Sequence, residues 1–200
     1  MDLPVFLNAV TALFVIIDPI GTALIFQALM PDGTTRERAF VALKACVISA
    51  ALLVLFGNYG EGLLASLGIS IHALRISGGL LLFYTAFNMI TREIRFQRVE
   101  GEGDISVFPM SIPLLAGPGS LTVSILLFSN APAASEQLAV FFAVVLICVL
   151  SFVLFTLSRY VKRVIGRTGD EILRRFLGVL LAALAIQFIL DGVSGLSALT

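Results

Sequence analysis

Six stretches of mainly apolar residues run along the chain, at about 4–30, 39–58, 73–90, 106–128, 138–157 and 176–193. Each is close to the ~20 residues that a helix needs to cross a bilayer core of ~30 Å. In lipid every backbone N–H and C=O must be satisfied within the segment, which a helix does. The pattern therefore predicts an all-α, polytopic membrane protein with six transmembrane helices. The links between the stretches carry their own signals. Residues 31–35 are a turn, and Thr34 with Glu37 three residues on makes a capping box. Gly57, Gly60, Gly62 and Gly68 predict a loop with a short interfacial helix over 63–67. Residues 91–104 form a charged connector of mixed sign, 130–136 a turn and helix start, and 159–175 a basic connector. A short Gly/Ser tail follows the sixth stretch.

Two of the apolar stretches are interrupted. In the first, Asp18-Pro19-Ile20-Gly21-Thr22 sits between apolar runs on both sides. In the fourth, the interruption is Pro113-Leu-Leu-Ala116-Gly117-Pro118-Gly119-Ser120. Proline removes a backbone donor and clashes with the preceding turn, and glycine weakens a helix further. At membrane depth the freed groups need protein, water or a ligand. Two breaks near mid-membrane, in helices 1 and 4, therefore predict a cavity.

Composition fits this picture. Hydrophobic residues make up 58% of the 200, and charged residues 13%, about half the ~25% of ordinary soluble domains. The formal net charge is zero, which gives no bulk attraction for nucleic acid. The charges are unevenly placed. Arg36, Arg38, Lys44, Arg92, Arg95, Arg98, Arg159, Lys162, Arg163, Arg167, Arg174 and Arg175 fall on one side of a six-helix topology, and Arg75 alone on the other. The positive-inside rule then predicts that both termini lie outside the cytoplasm. The first stretch lacks a basic leader and is too long for a signal peptide, so it is expected to be a retained helix. Cys46 and Cys148 lie in apolar stretches without His or Cys neighbours at ligand spacing, and are expected to be small buried hydrophobes. No cofactor or metal motif is present, and neither a Ser-His-Asp set, an HExxH nor a P-loop occurs. With His72 the single histidine, an enzyme is not expected.

Pro19 and Pro118 are 99 residues apart, and the same shift lays 74–90 on 173–189. Seven of those 17 positions match: Leu74/Leu173, Arg75/Arg174, Gly79/Gly178, Leu81/Leu180, Leu82/Leu181, Ala86/Ala185 and Ile90/Ile189. Asn88 falls on Gln187, two amides. Three helices per half force the halves into opposite orientations. The expected organisation is two inverted three-helix repeats, 1–90 and 106–200, joined by a cytoplasmic connector at 91–105. Secondary transporters of this design bind solutes near the midplane, in discontinuous helices.

A broken helix frees N–H groups after the break, which suit an anion, and carbonyls before it, which suit a cation. Two breaks brought together suit a small zwitterion. Asp18 has two readings that can both hold: a carboxylate for the substrate ammonium or a proton, and an N-cap ahead of Pro19 at the first helical position. Gly21, Gly117 and Gly119 let a ligand approach the backbone, and Thr22, Ser120 and Thr122 offer hydroxyls. Asn88 and Gln187 either line a pathway or bridge helices. Lys44 is expected to snorkel to the interface. His72 and Arg75 lie together at the outer end of the third helix.

Three strings resemble the MarC family of six-helix membrane proteins: Ile17-Asp18-Pro19-Ile20-Gly21, residues 68–79 (GISIHALRISGG), and Pro113-Leu-Leu-Ala116-Gly117-Pro118-Gly119-Ser120. The resemblance covers essentially the whole chain, in order. It implies a multi-pass inner-membrane protein, and some members are described as transporters of small neutral amino acids such as glycine and alanine. The family's Asp/Pro/Gly and Gly-Pro-Gly motifs fall on Asp18, Pro19, Gly21 and on Gly117, Pro118, Gly119. The function expected is secondary transport of such a solute, with an ion channel or an exporter of another small solute as the alternative.

Overall fold

The computed structural model describes residues 2–91 and 104–197. All the regular structure among them is helical: α1 (Leu3–Ile17), α2 (Pro19–Leu29), α3 (Thr35–Ser66), α4 (Ile71–Thr91), α5 (Ser106–Leu115), α6 (Pro118–Ser129), α7 (Ala134–Thr156) and α8 (Ser158–Ser197). Five stretches are long and apolar enough to cross a bilayer, the first being α1 and α2 together over Leu3–Leu29. The pair α5 and α6, bent by 57°, makes a sixth when its halves are taken as one span. The connector at 92–103, with Arg92, Arg95 and Arg98, lies outside the described residues, as does the end of the tail.

The local signals act as their chemistry dictates. Glu37 accepts from the Thr34 N–H at 2.8 Å, and Thr34 Oγ1 accepts from the Glu37 N–H at 3.3 Å, closing the capping box of α3. Ninety-nine residues on, Glu136 accepts from the Ala133 N–H at 3.0 Å at the start of α7. In α5 the backbone is extended at Phe108 and Ile112, each ahead of a proline that disfavours the helical region there. Its hydrogen bonds widen to i−5, as in Ala116 N–H to Ser111 O at 2.8 Å.

Two expectations about the links are corrected. The glycines at 57, 60 and 62 do not open a loop, because α3 continues unbroken to Ser66 and absorbs the short helix expected at 63–67. Gly57 and Gly60 are contact points instead: a Cβ there would meet the Phe128 ring at 2.4 Å and Ile125 Cγ1 at 2.6 Å. α3 ends just before Gly68, whose φ of +72° puts it in the left-handed region that terminates helices. The basic connector is also helical. It forms the first part of α8, set off from the membrane-crossing part, Glu171–Gly195, by Gly166 at φ +63° and ψ −175°.

The core holds Leu13, Phe26, Leu53, Met110, Ile147 and Phe155, all essentially inaccessible. The outer surface is unusually apolar, with Phe40, Val47, Phe83, Phe87, Phe142, Val149, Val179 and Leu190 all exposed. In water so much apolar surface is unfavourable, and facing acyl chains it is neutral. α4 packs along the membrane-crossing part of α8. A Cβ at Gly79 would lie 2.7 Å from Ala185 O and Ile189 Cγ1, and one at Gly178 would lie 2.9 Å from Ile90 Cγ1 and 3.3 Å from Ala86 O. The two contacts are each other's image under the 99-residue shift.

Candidate functional site

Asp18 ends α1 and begins α2. It takes the left-handed conformation, φ 46° and ψ 68°, which short polar side chains tolerate best after glycine. From there its carboxylate accepts from the Gly21 N–H at 3.0 Å, and Thr22 Oγ1 donates to Asp18 O at 2.8 Å. Pro19, at the first helical position, has no N–H to leave unsatisfied. Gly21 is required by the cap itself, since a Cβ there would sit 2.2 Å from Asp18 Oδ2. The capping reading of Asp18 is thus met in the structure.

The second break is built differently. Gly117 precedes α6 in extended conformation, and no side chain caps that helix. Ser120 Oγ reaches back to Leu115 O at 2.7 Å and Gly117 O at 3.1 Å, satisfying the last carbonyl of α5. The first-turn N–H groups of α6 carry the partial positive end of that helix. A Cβ at Gly117 would strike Pro113 O at 2.3 Å, and one at Gly119 would meet Leu82 Cδ2 at 2.8 Å and Ile16 Cδ1 at 3.1 Å. Both glycines are therefore demanded by close approach.

The two breaks face one cavity of about 370 Å³. That is near the lower end of the ~300–1,000 Å³ typical of small-molecule sites. Asp18, Thr22, Gly117, Pro118, Gly119 and Ser120 all line it. Pro19 and Gly21 are buried beside it and shape the turn. The hydroxyl hydrogens of Thr22 and Ser120 are committed to carbonyls, so toward a ligand these groups offer lone pairs. Such acceptors, with the Asp18 carboxylate, suit a donor such as an ammonium. Three polar lining residues lie beyond those the sequence indicates: Tyr84, Thr85 and Arg174. Arg174 had entered only as a match to Arg75 and as a topology signal. Arg174 and Asp18, residues of opposite charge, line the same cavity. A period-3.6 reading of the third apolar stretch puts 81, 85 and 88 on one face with Tyr84 beside it, a cue that helical spacing already contained.

Other anticipated residues lie elsewhere. Thr122 Oγ1 donates to Pro118 O at 2.9 Å, and its methyl abuts Gly78, where a Cβ would be 2.1 Å away. Asn88 and Gln187 do not line the cavity between the breaks. Asn88 Nδ2 donates to Tyr84 O at 2.9 Å, while its buried Oδ1 has no partner. Gln187 Nε2 donates to Asp191 at 2.7 Å and lies in a separate groove of about 370 Å³ with Asn8, Thr11, Val15, Leu180, Ala183 and Leu184. Lys44 meets the Asp104 carboxylate, and Asp104 also accepts from the Ser106 N–H at 2.9 Å. Arg75 donates to Asn130 Oδ1 at 2.7 Å, and His72 packs where a Cβ on Gly195 would lie 2.2 Å from its Nδ1.

Comparison with known proteins places this architecture. The family model for MarC family integral membrane proteins matches residues 3–197. The chain belongs to the MarC family. Its relatives include a UPF0056 membrane protein of Methanocaldococcus jannaschii, 33% identical over 98% of both chains. Another is the UPF0056 membrane protein YvbG of Bacillus subtilis, 31% identical over 92% of both. A third, YhcE of Escherichia coli, is 29% identical over 98% of this chain and 94% of its own. No solved structure matches. The MarC family assignment agrees with the helical, multi-pass architecture. Both interruptions fall within the matched residues.

Proposed function

We propose that the protein is a secondary transporter of a small neutral amino acid of the glycine or alanine type, and not an enzyme. The observation that carries the reading is the single cavity in which two helix breaks meet, with Asp18 and Arg174 both on its wall. A zwitterion needs one group of each sign, and the uncapped start of α6 adds partial positive charge for a carboxylate. Gly117, Gly119 and Ser120 keep the wall at the second break small, so a compact solute can approach the backbone there. Proton coupling would run through Asp18, the carboxylate in the middle of the first span.

The working motion is rocking of two inverted three-helix repeats about this cavity. Several features support that organisation. α2 and α6 start at Pro19 and Pro118, and α3 and α7 at Thr35 and Ala134, each pair 99 residues apart. The reciprocal Gly79 and Gly178 contacts obey the same shift. So do the two grooves: Leu81, Tyr84, Thr85 and Leu114 of one correspond to Leu180, Ala183, Leu184 and Val15 of the other. We take the two grooves as the approaches from the two membrane faces. In this reading the groove of Arg174 opens toward the cytoplasm and both termini lie outside it, in the inner or plasma membrane, an orientation that the distribution of basic residues supports.

Uptake into proteoliposomes tests the function. Saturable glycine or alanine uptake with counterflow is the expected result, abolished in Gly119→Leu, whose side chain would fill the cavity. Single-channel currents without counterflow would place the protein among channels instead.

A further inference from the structure

Arg38 is buried to 2% exposure, and every acceptor it meets among the described residues is neutral. Its guanidinium donates to Met30 O, to Gln27 Oε1 at 2.6 Å and to Ser158 Oγ, and lies 5.2 Å above the Phe26 ring. A buried charge without a counter-charge is costly, and its field is poorly screened. The adjoining carboxylate, Glu37, is committed to Thr34. A cavity of about 410 Å³ opens beside Arg38, lined by Thr35, Thr156, Leu157, Arg159, Tyr160 and Arg163. Three arginines, two threonines and a tyrosine line it, and among the described residues no acid does. Arg159 is held in place by donating to Gly33 O at 2.8 Å.

From this geometry we infer a binding site for a phosphate-bearing anion, at the end of the bundle where α3, α7 and α8 meet. Planar guanidiniums match phosphate oxygens in pairs, and hydroxyls supply further donors. The site lies at the start of α3, the end of α7 and the start of α8, on the side rich in basic residues. Leu157 and Tyr160, 45% and 65% exposed, form an apolar rim next to the cations. That combination fits the headgroup of an anionic phospholipid, whose acyl chains would run along the rim, and the same cations would hold inorganic phosphate. The bound anion would supply the charge that Arg38 lacks, and so tie the α2–α3 turn to the α7–α8 junction. This site is independent of the solute cavity.

Thermal unfolding in a neutral detergent tests it, with phosphatidylglycerol, phosphatidylcholine or inorganic phosphate added. Phosphatidylglycerol is expected to raise the apparent Tm by roughly 5 °C at saturation, the size a ligand at about 100 times its Kd gives a chain of this length. Phosphatidylcholine is expected to do nothing. Arg163→Gln, at an exposed position, should lose much of the shift, and Arg159→Gln/Arg163→Gln nearly all of it. Arg175→Gln, an exposed cation outside the cavity, should keep it. A shift with phosphate and none with phosphatidylglycerol keeps the site and moves its ligand to solution. No shift with either probe, a full shift in the double variant, or an equal loss in Arg175→Gln overturns the inference.

Discussion

Replacing Asp18 by Asn and by Ala separates two roles held by one carboxylate. The structural role is visible: Asp18 occupies φ 46°, and its side chain accepts from the Gly21 N–H at 3.0 Å. Alanine forfeits the cap, worth about 0.5–2 kcal/mol, and must hold a left-handed backbone at about 1–2 kcal/mol more. The expected cost is roughly 2–4 kcal/mol, which for a chain of this length lowers the apparent Tm by roughly 5–10 °C. Asparagine caps as well as aspartate and tolerates the same backbone, so its Tm should stay within about 2 °C of the parent. Transport should respond differently. Asparagine lacks the charge that binds an ammonium, a hydrogen bond worth about 1.5–3 kcal/mol, so uptake should weaken about 10- to 100-fold. Thermal unfolding in detergent and uptake into proteoliposomes read the two roles from the same preparations. Asp18→Ala melting with the parent would refute the cap, and Asp18→Asn transporting like the parent would refute the carboxylate's part in binding.

Four further substitutions follow from packing and charge. Gly79→Ala places a methyl 2.7 Å from a backbone carbonyl of α8 and should cost about 1–3 kcal/mol, measured by thermal unfolding. Gly62→Ala, with nothing within 4 Å, should instead stabilise by about 0.5–1 kcal/mol through helix propensity. Arg38→Lys keeps the charge but cannot span Met30, Gln27 and Ser158 with a planar fork, and should destabilise by about 2 kcal/mol. The Asp104 carboxyl is held down from 3.8 to about 2, first by the Lys44 ammonium and then by the Ser106 hydroxyl and N–H. Because its folded value is depressed, its stabilisation is present above the ordinary value and lost as pH falls from 3.8 through about 2. Asp104→Asn should flatten acid unfolding across that window.

Much of this arrangement was legible because its causes are local. Pro19 and Pro118 cannot continue a helix without loss, so both breaks were readable from the residues alone. The Thr34–Glu37 box was readable for the same reason. The glycines of α3 were misread, because a glycine's meaning depends on what lies opposite. Gly57 and Gly60 face Phe128 and Ile125, more than sixty residues away in sequence, and serve contact where turn chemistry would predict a loop. The charge of the basic stretch 159–175 reads as a connector, yet lysine and arginine are good helix formers, and within it only Gly166 leaves helical geometry. Arg174 and Arg38 were hidden for another reason. A count of basic residues per membrane side records where a charge falls along the chain, and cannot show that Arg174 lines the cavity between the breaks or that Arg38 is buried beside a second one.

Solute protection of engineered cysteines probes the shared cavity most directly. With Cys46 and Cys148 replaced by alanine, a single cysteine at Thr22 samples the first break and one at Ser120 the second. If both breaks grip one small zwitterion, glycine or alanine will slow modification of the two cysteines in parallel and over the same concentration range. Protection of one cysteine without the other, or of neither at concentrations that saturate transport, would contradict the account.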